Sequence, residues 1–461
     1  MNVELLISIN PATEEHIKTY PALDPKACQK LLSKATQEWE KWRSTSLEER
    51  GAFLVGAAQI LRDENEHLAR LVTSEMGKLL SESRVEIERC ASVCELYAKQ
   101  AAEMLKPQSC VLDGIQCRTV FEPLGAVLSI MPWNFPFWQV FRMTVPALMA
   151  GNAVWLKLAP NVCGCSQAIA SVFERAGLPR GVFTSLLLPK EHIEPVIAHD
   201  LVQAVAFTGS DVSGAKVAAM AGAHVKKCVM ELGGSDPFIV LDDADVAKSI
   251  GQAVQSRYQN AGQTCVAAKR FIIHRAVAKE FTEGLLDRIA KLKAGDPLSP
   301  ETTLAPLARL DLLERVDGQV STSLAMGATL LAGGKRLGMP GYFYAPTLLT
   351  DVTRDMPVMS QEVFGPVGVV CIVDNEEEAV RLANDTPYGL GASLWTSDSK
   401  RAERLAGQLR AGTVCINSRT HSDPRLPFGG CKRSGFGREM AHIGIRELCH
   451  IKVIQFNSSS C

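Results

Sequence analysis

The sequence predicts an α/β protein with two domains, each built on a mainly parallel sheet, and three observations support this fold class. The 461 residues are enough for two or three separate cores. From about residue 125 onward, short apolar runs alternate with segments of helical length, which is typical of parallel strands joined by crossover helices. A Gly-Gly pair at 233–234 separates two sets of such runs, so we place a domain boundary there.

The first hundred residues are predicted to be mostly helical, because helix-start signals precede periodic apolar segments. Asp24 and Pro25 supply an N-cap and a first-turn proline, and Ser-Leu-Glu-Glu at 46–49 is a capping box. Helical periodicity returns from about Leu79 to Leu105, and Pro107 follows it. We therefore expect helices before the first sheet.

The predicted strands form two sets of apolar runs, one on each side of the Gly-Gly pair. The first set spans 126–131, 153–158, 182–188, 204–207 and 225–230. The second set spans 237–241, 270–274, 368–373 and 413–417. Two more strand-like segments, 115–122 and 450–456, belong to neither set, and exposed strands of this kind can pair with another chain.

The near-neutral charge argues against nucleic acid or an anionic membrane as the main partner. The formal net charge is −1 at pH 7, whereas both partners usually require a basic face. Prolines, asparagines and an arginine interrupt the longest apolar region, Ala126–Leu158, which indicates buried core and not a membrane span. Met1–Ile9 lacks the basic start of a signal peptide, so we expect a cytoplasmic protein.

The fourteen cysteines lack the paired spacing of a zinc site, so no metal site is predicted. Most are expected to be reduced packing thiols, since a buried cysteine behaves as a small apolar residue. Cys265 differs because it ends a polar segment of mostly small residues, 258–264, shortly before the predicted strand at 270–274. A thiol on such a loop can be held by the scaffold and still be reached by substrate.

Two polar side chains at strand ends could work with this thiol. Glu231 follows one apolar run directly, and Asn134 lies within Pro132–Pro136, directly after another run. Attack on a carbonyl requires a nucleophile, a general base and an oxyanion donor, which a thiol, a carboxylate and a carboxamide can supply. Alone, Glu231 could be a salt-bridged carboxylate and Asn134 a turn residue. The hypothesis therefore depends on their combination.

Together with two further segments, these motifs resemble those of the NAD(P)-dependent aldehyde dehydrogenases. The further segments are Glu362–Pro366 and Pro427–Gly435, and the likeness runs from about residue 8 to the C-terminus. The resemblance implies a Rossmann-like cofactor domain (1–106 and 124–232), a catalytic domain (233–440) and a β-strand oligomerisation arm (107–123 and 441–461). It also implies a homodimer or homotetramer.

The resemblance implies a reaction in which Cys265 attacks an aldehyde and carries a thiohemiacetal and then a thioester. In this family the Asn134 side-chain amide and the backbone N–H of Cys265 would hold the oxyanion. Glu231 would then activate the water that releases the acid. NAD or NADP is the expected cofactor, and a small-molecule aldehyde is the expected substrate.

The dinucleotide site is predicted from resemblance, because the chain has no standard Gly-x-Gly-x-x-Gly fingerprint. Gly209, Ser210 and Gly214 resemble the family's phosphate-binding turn, in which a helix N-terminus faces the pyrophosphate. Pro160 stands where NAD-specific relatives usually carry a glutamate that would repel a 2′-phosphate. We therefore expect both NAD and NADP to be accepted.

Five other residues match the cofactor motifs of the family. Lys157 matches the lysine that reaches the adenosine ribose, and Glu362 matches the residue that binds the nicotinamide ribose, with Phe364 beside the ring. Trp133 and Leu232 fall within the matching motifs and are expected at the same site.

The substrate is predicted from an arginine, eight residues past Asn134. Succinate-semialdehyde dehydrogenases have an arginine at the position of Arg142, where it contacts the far carboxylate of the substrate. An ion pair between Arg142 and an internal acid is the open alternative. Gln259 stands where many of these enzymes have a second arginine, and Ser422 and Arg425 are candidate second contacts. The combination resembles a bacterial branch of these enzymes.

Three other functions stay open from the sequence alone. One is a broad-specificity oxidation of aliphatic aldehydes. Another is a CoA-acylating dehydrogenase, which Glu231 disfavours because water activation would be wasted. The third is a non-catalytic structural protein of the same fold, which the presence of Cys265, Glu231 and Asn134 disfavours.

Overall fold

The computed structural model describes residues 4–456, which form β-strands and α-helices in mixed order. The strands are β1 (Leu5–Ile9), β2 (His16–Pro21), β3 (Gln108–Leu112), β4 (Ile115–Pro123), β5 (Ala126–Met131), β6 (Ala153–Leu158), β7 (Phe183–Ser185), β8 (Val202–Thr208), β9 (Lys227–Glu231), β10 (Asp236–Val240), β11 (Ala268–His274), β12 (Thr329–Ala332), β13 (Thr347–Thr350), β14 (Val367–Val373), β15 (Gly391–Trp395), β16 (Thr413–Ile416), β17 (Gly435–Phe436) and β18 (Cys449–Phe456). The helices are α1 (Pro25–Trp42), α2 (Leu47–Asp63), α3 (Asn65–Met76), α4 (Leu80–Met104), α5 (Trp138–Met149), α6 (Cys163–Arg175), α7 (Ile193–Ile197), α8 (Asp211–Ala223), α9 (Val246–Tyr258), α10 (Arg275–Ile289), α11 (Leu310–Ala325), α12 (Pro357–Ser360), α13 (Glu376–Asn384), α14 (Ser399–Ala406) and α15 (Ala441–Glu447).

The N-terminal helices start where the sequence predicts. The Asp24 side chain accepts hydrogen bonds from the backbone N–H groups of Lys26 and Ala27 at the start of α1. Ser46 and Glu49 form the reciprocal capping box of α2. The β1–β2 hairpin was not predicted, because its short strands have no strict alternation of apolar and polar residues.

A six-stranded sheet forms the core of the first domain, with the order β17-β9-β8-β5-β6-β7. All its neighbouring strands are parallel except β17, which runs antiparallel to β9. The five runs predicted for this sheet are confirmed, although the run at 182–188 contains only the short strand β7. Carboxyl ends of parallel strands meet at one edge of a sheet, so β5 and β9 bring Asn134 and Glu231 to the same edge.

A seven-stranded sheet forms the second domain, with the order β12-β13-β14-β11-β10-β15-β16. Its strands are parallel except for β12. The four predicted runs correspond to β10, β11, β14 and β16. The strand β15, which lies between β10 and β16, was missed, although all five of its residues are buried, because Gly391 and Ser393 interrupt its apolar pattern.

The chain returns to the first sheet near its C-terminal end. Residues 435–436, which were predicted within the catalytic domain, form β17 and pair with Met230 and Glu231 on β9. Gly435 has a φ of +117°, and a Cβ there would lie 1.9 Å from the Met230 carbonyl oxygen. Only glycine fits this approach, so the glycine fixes the edge strand beside Glu231.

The predicted arm is a three-stranded antiparallel sheet with the order β18-β4-β3. The sequence predicted β4 and β18 but not β3, and residues 457–461 of the predicted arm lie outside the described part. Large apolar side chains on its surface are exposed, namely Val111, Leu112, Ile451 and Val453. Within residues 4–456, none of the helices combines the length and the apolar character that a membrane span requires.

Candidate active site

A strained turn carries the candidate nucleophile. Between α9 and β11, Asn260 and Ala261 both adopt left-handed backbone conformations, with φ values of 52° and 51°. Residues other than glycine rarely adopt this conformation, and such strain persists where surrounding contacts enforce it. One of these contacts comes from α4, where Glu82 Oε1 accepts a hydrogen bond of 2.9 Å from the Asn260 backbone N–H.

Side-chain amides connect this turn to Asn134. The Asn260 amide donates to the Asn134 carbonyl oxygen at 3.0 Å, and the Asn134 amide donates to the Gln263 carbonyl oxygen at 3.0 Å. Gln263 is anchored in turn, because its Oε1 accepts from the Ala308 N–H at 2.9 Å. Asn134 is 3% exposed. A primary amide has two N–H donors, so one stays available for an oxyanion, which is the role predicted for Asn134.

The Cys265 thiol is partly exposed and has a high pKa. Burial raises the pKa of Cys265 to about 11, whereas the charges of Arg142 and Lys269 oppose this rise. Lys269 also fixes the loop, since its ammonium group donates to the Cys265 carbonyl oxygen at 2.8 Å. At neutral pH the thiol is therefore mostly protonated, and attack on an aldehyde requires that its proton leaves.

Glu231 lies at the end of β9 and is 2% exposed. Within residues 4–456, neither of its carboxyl oxygens has a hydrogen-bond partner. Burial raises the pKa of Glu231 well above its usual value, and the neighbouring Glu439 raises it further, while Arg142 and Arg438 oppose the shift. A buried carboxyl group without a partner is unusual and is often functional, because it can accept a proton from water.

Arg142 has the internal acid partner that was left open as the alternative. Its guanidinium forms an ion pair with Glu439, and both side chains are almost fully buried at 2% and 1% exposure. The guanidinium also lies over the Phe428 ring, 4.8 Å from the ring centroid. The structure therefore shows the ion pair of the alternative, while Arg142 Nη2 has no hydrogen-bond partner within residues 4–456, so the contact of Arg142 with a substrate carboxylate stays a prediction. Its charge also acts on the pKa values of Cys265 and Glu231.

The predicted phosphate-binding turn leads into α8. The Ser210 hydroxyl caps this helix by accepting from the Ser213 N–H at 3.3 Å, and the Gly209 N–H donates to the Glu231 carbonyl oxygen. A Cβ on Gly214 would lie 2.3 Å from a Leu232 methyl group, so α8 packs closely on the strand that carries Glu231. This packing puts the predicted cofactor turn and the predicted base on adjoining elements.

Lys157 lies near the carboxyl end of β6, and Pro160 follows it by three residues. Within the described residues, the Lys157 ammonium group has no hydrogen-bond or ion-pair partner, and burial lowers its pKa. Pro160 begins a short 3₁₀ helix, Pro160–Val162, which precedes α6. An unpaired, partly buried cation fits a ligand that brings oxygen atoms to this edge of the sheet.

Glu362 contacts the Gly-Gly pair at 233–234, and Phe364, two residues further along the chain, contacts Trp133. Glu362 Oε1 accepts a hydrogen bond of 3.0 Å from the Gly234 N–H and lies 3.8 Å from the Lys269 ammonium group. Burial raises the pKa of Glu362, whereas Lys269 lowers it. The Phe364 and Trp133 rings pack edge to face with centroids 5.7 Å apart. The two aromatic residues predicted for cofactor binding are thus in contact.

The four predicted substrate residues do not form one cluster. Ser422 accepts hydrogen bonds from Arg89, and Gln259 accepts one from Arg419, so these two contact arginines that the sequence analysis did not single out. Arg425 instead pairs with Asp423 in its own loop at 2.6 Å, and its side chain is 72% exposed. This position argues against the prediction that Arg425 contacts the substrate.

Arg89, Arg419, Lys269 and Glu439 are site residues that sequence reasoning missed. Arg89 lies within a long helix and Arg419 in an irregular segment, and neither belongs to a recognisable motif. Glu439 could have been suspected, because Arg142 lies in an apolar helix and requires an acid partner when buried. Lys269 immediately precedes the predicted strand at 270–274, but no pattern in the sequence shows that it reaches back to Cys265.

Comparison with known proteins covers nearly the whole chain. The model of the aldehyde dehydrogenase family matches residues 3–454. The chain is 44% identical to the succinate semialdehyde dehydrogenase (NAD(P)+) Sad of Escherichia coli strain K12, with 97% of each chain covered. It is 45% identical to a probable succinate-semialdehyde dehydrogenase (NADP+) of Synechocystis, covering 97% of this chain and 99% of that one.

Two solved structures superimpose on this chain over almost its whole length. The structure of Gox0499 superimposes with a TM-score of 0.97 at 41% identity, covering 98% of this chain and 100% of that chain. The succinic semialdehyde dehydrogenase of Streptococcus pyogenes, solved with NADP+, has a TM-score of 0.96 at 37% identity, covering 97% and 99%. A family match over almost every residue, supported by full-length relatives and by the fold, shows that this chain belongs to the aldehyde dehydrogenase family.

Proposed function

We propose that the protein oxidises succinate semialdehyde to succinate with NAD or NADP as the hydride acceptor. The observation that carries this proposal is the 44% and 45% identity to two succinate-semialdehyde dehydrogenases over 97% of the chain. The site supports the same chemistry, because a thiol, a carboxamide and a carboxyl group that has no hydrogen-bond partner in residues 4–456 lie where the loops of the two sheets meet.

The Cys265 thiol gives up its proton to water, its sulfur adds to the aldehyde carbon, and the carbonyl oxygen becomes negatively charged as the C–O π bond breaks. The free N–H of the Asn134 amide and the backbone N–H of Cys265 stabilise this oxyanion, in a site already fixed by the contact of Asn134 with Gln263. After oxidation of the thiohemiacetal carbon, a thioester remains on Cys265. Glu231 in its ionised form then takes a proton from water, which attacks the thioester and releases the acid.

The residues around β6, β9 and α8 fit a dinucleotide, which supplies the acceptor for the hydride when it is bound. The buried Thr208 hydroxyl precedes the Gly209–Ser210 turn and has no partner within residues 4–456, and Lys157 is an unpaired cation. These groups would hold phosphate and ribose oxygens. Pro160 puts no negative charge beside a 2′-phosphate, which agrees with use of either cofactor.

We also propose that the protein is a homodimer or homotetramer of the cytoplasm. The β18-β4-β3 arm supports assembly, because its exposed apolar side chains and unpaired strand edge favour pairing with another copy. All cysteines within residues 4–456 are free thiols, which suits a reducing compartment.

The test compares kcat/KM for succinate semialdehyde and for butanal, a neutral aldehyde with the same number of carbon atoms, with NAD and NADP in turn. We expect the carboxylated substrate to be favoured by tenfold or more, which corresponds to about 1.4 kcal/mol. Cys265→Ala is the negative control and should reduce both activities to background, since the nucleophile is removed. Equal rates for the two aldehydes would instead assign a broad aliphatic specificity.

A further inference from the structure

Two arginines beside the candidate active site have hydrogen bonds but no acidic partner. Arg89 on α4 donates to the Ser422 carbonyl oxygen at 2.8 Å and to the Ser422 hydroxyl at 3.1 Å. Arg419 donates to Gln259 Oε1 at 3.4 Å. In the part of the chain that the structure describes, no ion pair forms at either guanidinium. Both residues are half-buried, so water screens their charges only in part.

The two arginines that the sequence predicted as carboxylate ligands differ in this respect. Arg142 pairs with Glu439 in the interior, and Arg425 pairs with Asp423 near the surface. A substrate carboxylate at either of them would compete with an acid that already pairs with the guanidinium. Removing one partner of a buried pair is costly, because it leaves an uncompensated charge. Arg89 and Arg419 present no such obstacle.

A cleft of about 410 Å³ places Arg419 next to the loop of the nucleophile. Glu82 and Val85 of α4 line this cleft, together with Gln259 and Arg419. Arg89 follows Val85 by four residues, so it lies on the same face of α4 as Glu82 and Val85. The cleft therefore borders the start of the turn that carries Cys265, and Arg89 lies about one helical turn beyond the cleft along α4.

Trp138 connects Arg89 to the reactive side of the site. The guanidinium of Arg89 lies over the Trp138 ring, 4.1 Å from its centroid, and the Trp138 indole N–H donates to the Ser422 hydroxyl at 3.2 Å. Trp138 opens α5, four residues after Asn134 and one turn before Arg142. The aromatic ring and Ser422 thus hold the Arg89 guanidinium in one orientation, which reduces the entropy lost on ligand binding.

The electrostatics of this region favour an anion. Burial lowers the pKa of the Arg89 guanidinium, and repulsion from the positive charges of Arg142 and Arg419 lowers it further. A bound carboxylate would offset this repulsion. Glu82 is the acid that lines the same cleft, but burial raises its pKa and its Oε1 already accepts from the Asn260 N–H. Glu82 therefore opposes an incoming carboxylate only weakly.

We propose that Arg89 and Arg419 bind the carboxylate of the substrate, while its aldehyde end reaches Cys265. This inference rests on the proposed function, and it names the groups that separate a semialdehyde from a neutral aldehyde. A guanidinium can bind a carboxylate through two parallel hydrogen bonds. Ser422 and Gln259 serve as acceptors that orient the two arginines.

The experiment uses Arg89→Gln, Arg419→Gln, the double variant and Arg89→Lys. Arg84→Gln is the matched control, because Arg84 lies on the same helix but is exposed and paired with Glu66. Each variant is assayed for kcat/KM with succinate semialdehyde and with butanal. Succinate is then tested as a competitive inhibitor of butanal oxidation, so that carboxylate binding is measured without the semialdehyde.

We expect each glutamine variant to lower kcat/KM for succinate semialdehyde about tenfold and the double variant about a hundredfold, mainly through KM. The loss with butanal should be at least tenfold smaller in the double variant. Inhibition by succinate should weaken in parallel. Arg89→Lys should recover part of the loss because the charge is restored, and Arg84→Gln should keep the wild-type ratio of the two substrates.

Four other outcomes separate this inference from the proposed function. Equal losses with both aldehydes would assign the arginines a structural role and overturn the inference. Unchanged kcat/KM values for both aldehydes in the double variant would overturn it as well, while the proposed function stands. If the wild type neither prefers the semialdehyde nor binds succinate, both fail. If the wild type lacks the preference but succinate inhibits it through the two arginines, only the proposed function fails.

Discussion

The two halves of the candidate site are held in opposite ways. On the nucleophile side, Asn134, Asn260 and Gln263 form a continuous set of hydrogen bonds around a strained turn. On the other side, Glu231 is just as deeply buried, yet neither of its oxygens has a partner within residues 4–456. A buried carboxyl group without hydrogen bonds costs stability. The comparison indicates that the nucleophile loop is rigid and that the carboxyl oxygens of Glu231 are free to accept hydrogen bonds from water.

Glu231→Gln tests the carboxyl side of this comparison and should have a larger effect than Asn134→Ala or Glu82→Gln. Glutamine has the same shape but cannot accept the proton from water, so steady-state turnover should fall about 10²–10⁴-fold. The first turnover should still produce NAD(P)H in a burst, because thioester formation does not require Glu231 as a base. Stopped-flow absorbance separates the two phases, and loss of the burst together with turnover would contradict the assignment.

Glu231→Gln should also change how the deacylation rate depends on pH. Burial raises the pKa of Glu231, so the ionised form that acts as a base increases as the pH rises. In the wild type, the deacylation rate should therefore increase with pH through the raised pKa of Glu231. The glutamine variant should lose this limb of the pH profile. A limb that persists in the variant would assign the titration to another group.

Asn134→Ala tests the nucleophile side. The substitution removes an oxyanion donor and the bond to the Gln263 carbonyl oxygen, and loss of one such donor typically lowers kcat about 10²–10³-fold. Asn260→Gly is the control for the turn, because glycine tolerates its backbone conformation but lacks the amide that contacts Asn134. If Asn260→Gly is as damaging as Asn134→Ala, rigidity of the turn matters more than the oxyanion donor.

The sequence predicts most of the strands of the two sheets for a physical reason, and it places the candidate catalytic residues at strand ends. Buried parallel strands are continuous apolar runs, and the loops after them hold polar residues, so the positions of Asn134 and Glu231 at strand ends could be predicted. The roles of Asn134, Glu231 and Cys265 stay predictions, because they depend on the combination of the three residues and on the family resemblance. The strand ends are local features, because each depends on residues within a few positions of one another.

Charge pairing could not be predicted in the same way, because its partners are distant along the chain. Arg142 is followed by Glu439 only after almost 300 residues, and Arg89 meets Ser422 across a similar separation. One sequence does not show which of two arginines is already neutralised. A different reason applies to Arg425. Its partner Asp423 lies only two residues away, but the sequence does not show that these two side chains pair with each other.

Glu82→Gln should have the smallest effect. Glu82 is a buried carboxyl group like Glu231, but it supports the turn that carries the nucleophile. Burial raises its pKa in the folded protein above the unfolded value, so its contribution to stability is full at low pH and is lost as the pH rises through the folded pKa.

Glutamine at position 82 keeps an acceptor for the Asn260 N–H but cannot ionise. The difference in Tm between Glu82→Gln and wild type should therefore become more positive as the pH rises from 5 to 8. Differential scanning calorimetry measures this difference, and the exposed Glu403→Gln is the control. A difference that is independent of pH would mean that Glu82 is ionised in the turn, and the turn would then be held by a charge as well as by neutral hydrogen bonds.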